Sequence, residues 1–226
     1  PRYFIITGEP GIGKTAIAAQ LTQIRHVDAC HFCVARQIDT IDPLEFTQGL
    51  AQQLFDLDGF ARGMLQQNGV HLNANQTVYG NQGQATNVRI EKLVLNGVAA
   101  SSVFNRIVVA PLKQLYANDY EEQVVILVDA LDETRQLQGR ETIVDLLAKT
   151  QGLPPQVRFI LTCRPDSKIF RHFGAQSIQY LQIDSDCEEN LSDATFYVRT
   201  RVDKSDTISD RLQQKGVALD DLIRHA

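Results

Sequence analysis

The residues with the clearest chemical use stand close to the start of the chain: Gly8-Glu9-Pro10-Gly11-Ile12-Gly13-Lys14-Thr15. They fit the spacing G-x-x-x-x-G-K-[ST] at every fixed position. Gly8, Gly11 and Gly13 can take backbone angles that a Cβ discourages. Successive N–H groups can then curl into a nest for a phosphate, at the positive end of a helix dipole. Lys14 supplies a mobile point charge for the β- and γ-phosphates, and the Thr15 hydroxyl can ligate Mg²⁺. A Gly-rich turn that matched by chance would lack the context present here, an apolar run Tyr3-Phe4-Ile5-Ile6 before it and a helical pattern after it. The expectation is a bound nucleoside triphosphate, with Gly8, Glu9, Pro10, Gly11, Ile12, Gly13, Lys14 and Thr15 as the binding loop.

A second group lies far along the chain. Val124-Val125-Ile126-Leu127-Val128 is an apolar run ending in Asp129-Ala130-Leu131-Asp132-Glu133. In an open parallel sheet, ligands bind beyond the carboxyl ends of the strands. Asp129 is therefore placed to hold Mg²⁺ directly or through a water, together with Thr15. Asp132 or Glu133 could orient or deprotonate an attacking water; the plainer alternative is that both are solvated residues opening the next segment. Thr162-Cys163-Arg164-Pro165 ends another apolar run. Arg164 can reach a γ-phosphate, or it can pair with an acidic neighbour such as Asp166. The candidate catalytic set is thus Lys14, Asp132, Glu133 and Arg164.

These residues need elements to position them. Tyr3–Thr7, Gln123–Val128 and Val157–Thr162 are apolar without alternation, the pattern of strands buried on both faces. Ala29–Ala35 and Ser177–Ile183 read as further strands. From Lys14 the spacing of Ile17, Leu21 and Ile24 is helical, with Ala16, Ala18 and Ala19 favouring helix. Asp42-Pro43-Leu44-Glu45 is a helix start with Asp42 as cap and Pro43 in the first turn, continued by Phe46, Leu50 and Leu54. Ser102–Tyr116 carries Phe104, Val108, Leu112 and Leu115 at helical spacing, with a kink expected near Pro111. Thr142–Leu147 is helical, and Ser192 is a candidate cap for a helix with Ala194, Val198 and Val202 on its inner face. A further helix pair is expected over Leu212–Ile223. Strands alternating with helices predict an α/β fold of the P-loop NTPase kind, a parallel β-sheet flanked by helices on both faces.

Between these elements, Gly59–Val103 holds eleven Asn or Gln residues, six glycines and one acidic residue. Strand-like stretches at Gln76–Tyr79 and Asn87–Leu95 flank Gly80, Asn81 and Gly83, which predicts a small β insertion; a polar loop is the alternative. The predicted organisation is a core over 1–183 containing this insertion at about 59–103, followed by the start of a helical extension over 184–226. Because the chain begins almost on its first strand, it is expected to be a segment of a longer polypeptide.

Composition narrows the function classes. The 226 residues carry a net charge of −5, and residues 184–226 hold ten acidic against six basic side chains. That balance offers no basic groove for nucleic acid. No apolar run approaches membrane-spanning length. Of the four cysteines, Cys30-His31-Phe32-Cys33 invites a metal or redox reading, but no second ligand pair stands at zinc spacing. Adjacent-face geometry also fails, since residues three apart on a strand point to opposite faces. Buried reduced thiols, fitting a cytoplasmic protein, are the expectation.

Together, Gly8–Thr15, the run ending Asp129-Ala130-Leu131-Asp132-Glu133, and Ile160-Leu161-Thr162-Cys163-Arg164-Pro165 resemble a NACHT-type NTPase of the STAND class. The small Ala130 after the first Asp, followed by two more acidic residues, is the telling detail. Asp193-Ala194-Thr195-Phe196-Tyr197 is similar to the opening of the helical segment that follows such cores. The resemblance implies a regulatory ATPase using ATP/ADP and Mg²⁺, with ADP holding an inactive state and ATP permitting opening and homo-oligomerisation. It implies effector and sensor domains as partners within the same polypeptide, and roles in defence, cell death or transcriptional control. The elements that close over the base in that class would lie outside these residues.

Two other function classes compete with a slow switch. One is a turnover ATPase, an AAA+-like motor or a small-molecule kinase; the other is a non-hydrolysing scaffold stabilised by nucleotide. No Asn-Lys-x-Asp guanine motif and no Leu-Ser-Gly-Gly signature occurs. The complete acidic set Asp129, Asp132 and Glu133 argues against the scaffold.

Overall fold

The computed structural model describes residues 1–24, 27–57, 59–65, 99–136, 141–165, 167–174, 178–184 and 188–205, with 207, 211, 214–216 and 218. Five strands, β1 (Tyr3–Thr7), β2 (Ala29–Phe32), β3 (Val124–Asp129), β4 (Val157–Cys163) and β5 (Ile178–Gln182), form one sheet in the order β2-β3-β4-β1-β5. Every pairing is parallel, with Ile5 opposite Leu161 and Tyr180, and Ile126 opposite Ala29 and Phe159. Ile126, Leu127 and Val128 are successive, so they alternate between faces, yet all three are fully buried. Both faces of β3 are therefore covered, as the unbroken apolar run predicts. The chain is an α/β protein with a parallel sheet flanked by helices.

The helices follow from local chemistry. Helix α1 spans Lys14–Ile24 and packs on β3 and β4. Its inward residue is Ala18, while Ile17 and Ile24 are exposed. The expected Ile17, Leu21, Ile24 stripe is thus not the core face; the small Ala18 takes the close approach to the sheet. After β2 come α2 (Ile38–Ile41) and α3 (Pro43–Leu54). Asp42 caps α3 by accepting from the N–H groups of Leu44 and Glu45, with Pro43 in the first turn. Phe46, Leu50 and Leu54 are buried on its inner face. Strand β2 ends at Phe32, short of the expected Ala35. The chain turns away there: Arg36 is left-handed at φ 66, and the Thr40 hydroxyl accepts from Val34 N–H and lies against the Val34 and Gln37 carbonyls.

Helix α4 (Phe60–Leu65) opens what the composition marked as a polar insertion, yet Phe60 and Met64 are fully buried. Gly63 lies close against Pro111, where a Cβ would stand 3.2 Å from the proline Cα and carbonyl oxygen. The expected β stretches Gln76–Tyr79 and Asn87–Leu95 lie outside the described residues. The chain returns in α5 (Ala100–Phe104), a π-helical turn over Asn105–Val109, and α6 (Ala110–Ala117). The irregularity expected at Pro111 is therefore a widened turn just before it. A proline ring crowds the carbonyl four residues back, here Ile107, inside the π turn. Phe104, Val108 and Leu112 remain fully buried through it.

Helix α7 (Ile143–Lys149) starts with a capping box between Thr142 and Asp145. Helix α8 (Ser167–His172) follows β4. Tyr3, stacked on Phe159 and packed against Phe173, donates its hydroxyl to the Leu147 carbonyl at 2.7 Å. At the outer edge of the sheet, the Gln53 side chain accepts from Cys30 N–H at 2.8 Å and donates to the Cys30 carbonyl at 2.9 Å. Strand β5, at the opposite edge, has Tyr180 and Leu181 exposed.

The chain divides into two compact units, Pro1–Gln182 and Ile183–Ala226. The second contains α9 (Glu188–Asp203), on which Phe196 and Tyr197 are exposed. Ser192 lies inside α9, not at its N-cap, because the helix begins four residues earlier. The helix pair expected over Leu212–Ile223 falls largely outside the described residues. Among the described residues, no helix is long and apolar enough to cross a membrane.

Candidate functional site

The strand order sets the site. Strand β4 lies between β1 and β3, so the Gly8–Thr15 loop, Thr162–Arg164 and Asp129–Glu133 emerge from three adjacent strand ends on the carboxyl side of the sheet. Parallel strands make this a shared edge, where open α/β sheets place their ligands.

Within the loop, Gly11 and Gly13 have φ of +86° and +92°, and a Cβ built on either meets nothing within 4 Å. Glycine is demanded there by backbone conformation and not by crowding, and open space lies above the loop. Helix α1 begins at Lys14, and Ile17 N–H bonds back to the Gly13 carbonyl at 3.0 Å. The N–H groups of the first turn have no intrahelical acceptor. Left-handed glycines, first-turn N–H groups and a lysine together fit a phosphate chain. Lys14 Nζ donates to the Gly8 and Glu9 carbonyls at 2.6 and 2.8 Å, so the ammonium folds over its own loop.

Asp129, the buried last residue of β3, is held by two hydroxyls. Thr15 Oγ1 donates to Oδ2 at 2.8 Å, and Thr162 Oγ1 donates to Oδ1 at 2.5 Å. The two residues expected at the metal, Thr15 and Asp129, are therefore in direct contact across 114 positions of sequence. Among the described residues, no group of three or more His, Cys, Asp or Glu forms a metal cage. A single carboxylate beside a hydroxyl suits Mg²⁺, which keeps several waters and takes further oxygens from substrate phosphates.

The chain after Asp129 turns sharply. Ala130 is left-handed at φ 53, and a 3₁₀ turn over Leu131–Gln136 follows. This brings Asp132 and Glu133 back to the end of β4, where Arg164 meets both. Arg164 N–H donates to Asp132 Oδ1 at 3.0 Å, its Nε lies 3.1 Å from Asp132 Oδ2, and its Nη2 lies 2.6 Å from Glu133 Oε1. Asp132 and Glu133 are thus not free surface residues, and Arg164 pairs with them; the Asp166 alternative lies outside the described residues.

Cys33 sits behind this acidic group, its N–H bonded to the Asp129 carbonyl at 3.1 Å. Burial, then the charges of Asp129, Asp132 and Glu133, pushes its thiol up to about 12. It stays a protonated, inert thiol. Burial likewise raises Cys30, and Cys30, Cys33 and Cys163 are free of disulfides. His31, on the same strand as Cys30, contacts the Thr40 carbonyl through Nε2 at 2.7 Å and packs edge-on to Phe46. Burial lowers its pKa, partly offset by that carbonyl, which makes it a neutral, half-buried histidine.

In the sequence Thr162 is one residue of the Thr162–Pro165 run, and nothing there assigns it a role. A polar residue closing an otherwise apolar strand is the signal that would have marked it. Its partner could be known only once β4 was seen to lie beside β3.

A Gly-rich loop between β1 and α1, and an aspartate at the end of β3 touching the Thr of that loop, define a P-loop NTPase-like domain. The chain belongs to the family described as Nephrocystin 3, N-terminal, whose model matches residues 1–164 and so takes in every motif from the loop to Arg164. No curated protein matches the sequence. One solved chain similar to it comes from a structure of Drosophila ORC bound to DNA, with 16% identity and a TM-score of 0.45 over 99% of this chain. This chain spans about half, 49%, of that one.

Proposed function

We propose that this chain is an ATP-binding, slowly hydrolysing switch domain of the NACHT type within the STAND class, carried by a larger polypeptide. The observation that supports this best is the contact of Thr15 with Asp129 beside a loop shaped for phosphate. In this reading the N–H groups of Gly8–Thr15 and the Lys14 ammonium bind the phosphates, and Thr15 with Asp129 holds Mg²⁺. Bound metal would supply charge neutralisation at the β- and γ-phosphates. Asp132 or Glu133 orients the attacking water, and Arg164 answers to the γ-phosphate.

The Arg164 contacts favour a switch over a motor. The guanidinium bonds Asp132 Oδ2 and Glu133 Oε1, so turning either carboxylate toward an attacking water means breaking an ion-pair contact. Hydrolysis then waits on a rearrangement, as a timer requires. Residues 1–183 act as the core and 184–226 open a helical extension. Nucleotide state sets conformation and homo-oligomerisation, with effector and sensor domains of the same polypeptide as partners. A population change from 1:99 to 99:1 requires about 5.5 kcal/mol of differential binding, within reach of several charge-assisted contacts.

Calorimetric titration with Mg-ATP tests the reading. Lys14→Ala should weaken binding roughly 10- to 100-fold, the worth of a charge-assisted hydrogen bond. Unchanged affinity would exclude the loop as the phosphate site, and turnover of many cycles per minute by the chain alone would exclude the switch.

A further inference from the structure

We infer that Thr162 is a positioning residue for Asp129, holding the carboxylate so that one oxygen faces Thr15 and the metal position. The inference rests on the nucleotide reading above and adds a residue to it. Thr162 is buried, and its oxygen accepts the Ala130 N–H at 2.8 Å while its hydroxyl donates to Asp129 Oδ1 at 2.5 Å.

The donor count makes the arrangement directional. A threonine hydroxyl has one hydrogen. The Ala130 N–H occupies an oxygen lone pair, so that hydrogen is left to point at Asp129. Oδ2 meanwhile receives the Thr15 hydrogen. Each carboxylate oxygen thus has its own hydroxyl donor, one from β4 and one from α1, and rotation of the carboxylate breaks both bonds. The left-handed Ala130 belongs to the same device, since its N–H orients the hydroxyl that orients the carboxylate. Thr162 touches neither phosphate nor metal in this scheme; it acts through Asp129.

Partners of this kind around a metal ligand commonly change metal affinity 10- to 100-fold when removed. Thr162→Val keeps the shape and deletes the hydroxyl. Thr162→Ser keeps the hydroxyl and deletes the methyl. Binding of a fluorescent ATP analogue to the full chain is measured in EDTA and across a free Mg²⁺ titration. The three proteins should bind alike in EDTA. Half-saturating Mg²⁺ should rise roughly tenfold or more in Thr162→Val, and Thr162→Ser should match the parent. Thr162→Cys, with a longer and weaker donor, should fall between them and carries the test should Val prevent folding. Equal Mg²⁺ dependence in Val or Cys and parent, or failure of Ser to restore it, overturns the inference while leaving nucleotide binding intact. No analogue binding by the parent in either condition overturns the nucleotide reading itself.

Discussion

The Arg164 clamp gives a prediction whose size can be worked out from geometry. At 2.6–3.1 Å, two unit charges attract by about 1.3–1.6 kcal/mol per contact if the medium is water-like. The Arg164 side chain is 53% exposed while Asp132 and Glu133 are 13% and 18% exposed. The more-than-half-exposed guanidinium rules out the larger values of a dry interior. Ordering a long side chain and salt screening reduce each pair further, to roughly 0.5–1 kcal/mol. Arg164→Ala, Glu133→Gln and their combination, unfolded in urea, should show a coupling of about that size. The parallel cycle with Asp132→Asn should be smaller, because that contact is longer, 3.1 against 2.6 Å. At 1 M salt the Debye length falls to about 3 Å, and the coupling should drop by half or more. If Mg-ATP competes for the guanidinium, a non-hydrolysable triphosphate should lower the Arg164–Glu133 coupling as well. A coupling below about 0.3 kcal/mol in both cycles at low salt would refute the clamp as an energetic feature.

Two further outcomes follow from strain and from protonation. Ala130 at φ 53 bears a left-handed cost of about 1–2 kcal/mol. Ala130→Gly should therefore leave stability level or slightly raised, whereas Ala130→Val should lower it by about 1 kcal/mol or more; equal urea midpoints for Val and the parent would show that the turn is not strained. His31 has a folded pKa below its ordinary value of about 6.5 because burial disfavours its charged form. The unfolded chain then binds the proton more readily, so this contribution is full above pH 6.5 and is lost as pH falls through the lowered folded value. Melting temperature should decline from pH 7.5 toward 5.5, and less steeply in His31→Gln; identical slopes would remove His31 as the cause.

Much of this site could be read in the chain because its parts are local. The loop Gly8–Thr15 carries its own spacing, and Asp129 ends a run so apolar that only a doubly covered strand accommodates it. The capped start of α3 was equally legible, since Asp42 and Pro43 act on their immediate neighbours. What could not be read depended on distance. No feature of Val157–Cys163 says that it inserts between β1 and β3, so neither the Thr162–Asp129 bond nor the grip of Arg164 on Asp132 and Glu133 could be derived. Helix α1 shows a different limit. Its largest apolar residues looked like the buried stripe, but the space against the sheet admits Ala18. Ser192 failed because a good cap residue is also tolerated inside a helix.

One margin of the sheet is covered in a way that bears on assembly. At β2 the amide of Gln53 imitates a peptide group, offering Cys30 an acceptor and a donor as a sixth strand would. An extended segment approaching there must first evict that amide and regain two hydrogen bonds before it gains any, a threshold of the kind that keeps edge strands from templating aggregation. Lengthening of this sheet by another backbone is therefore opposed at β2, the margin next to the strand that ends in Asp129.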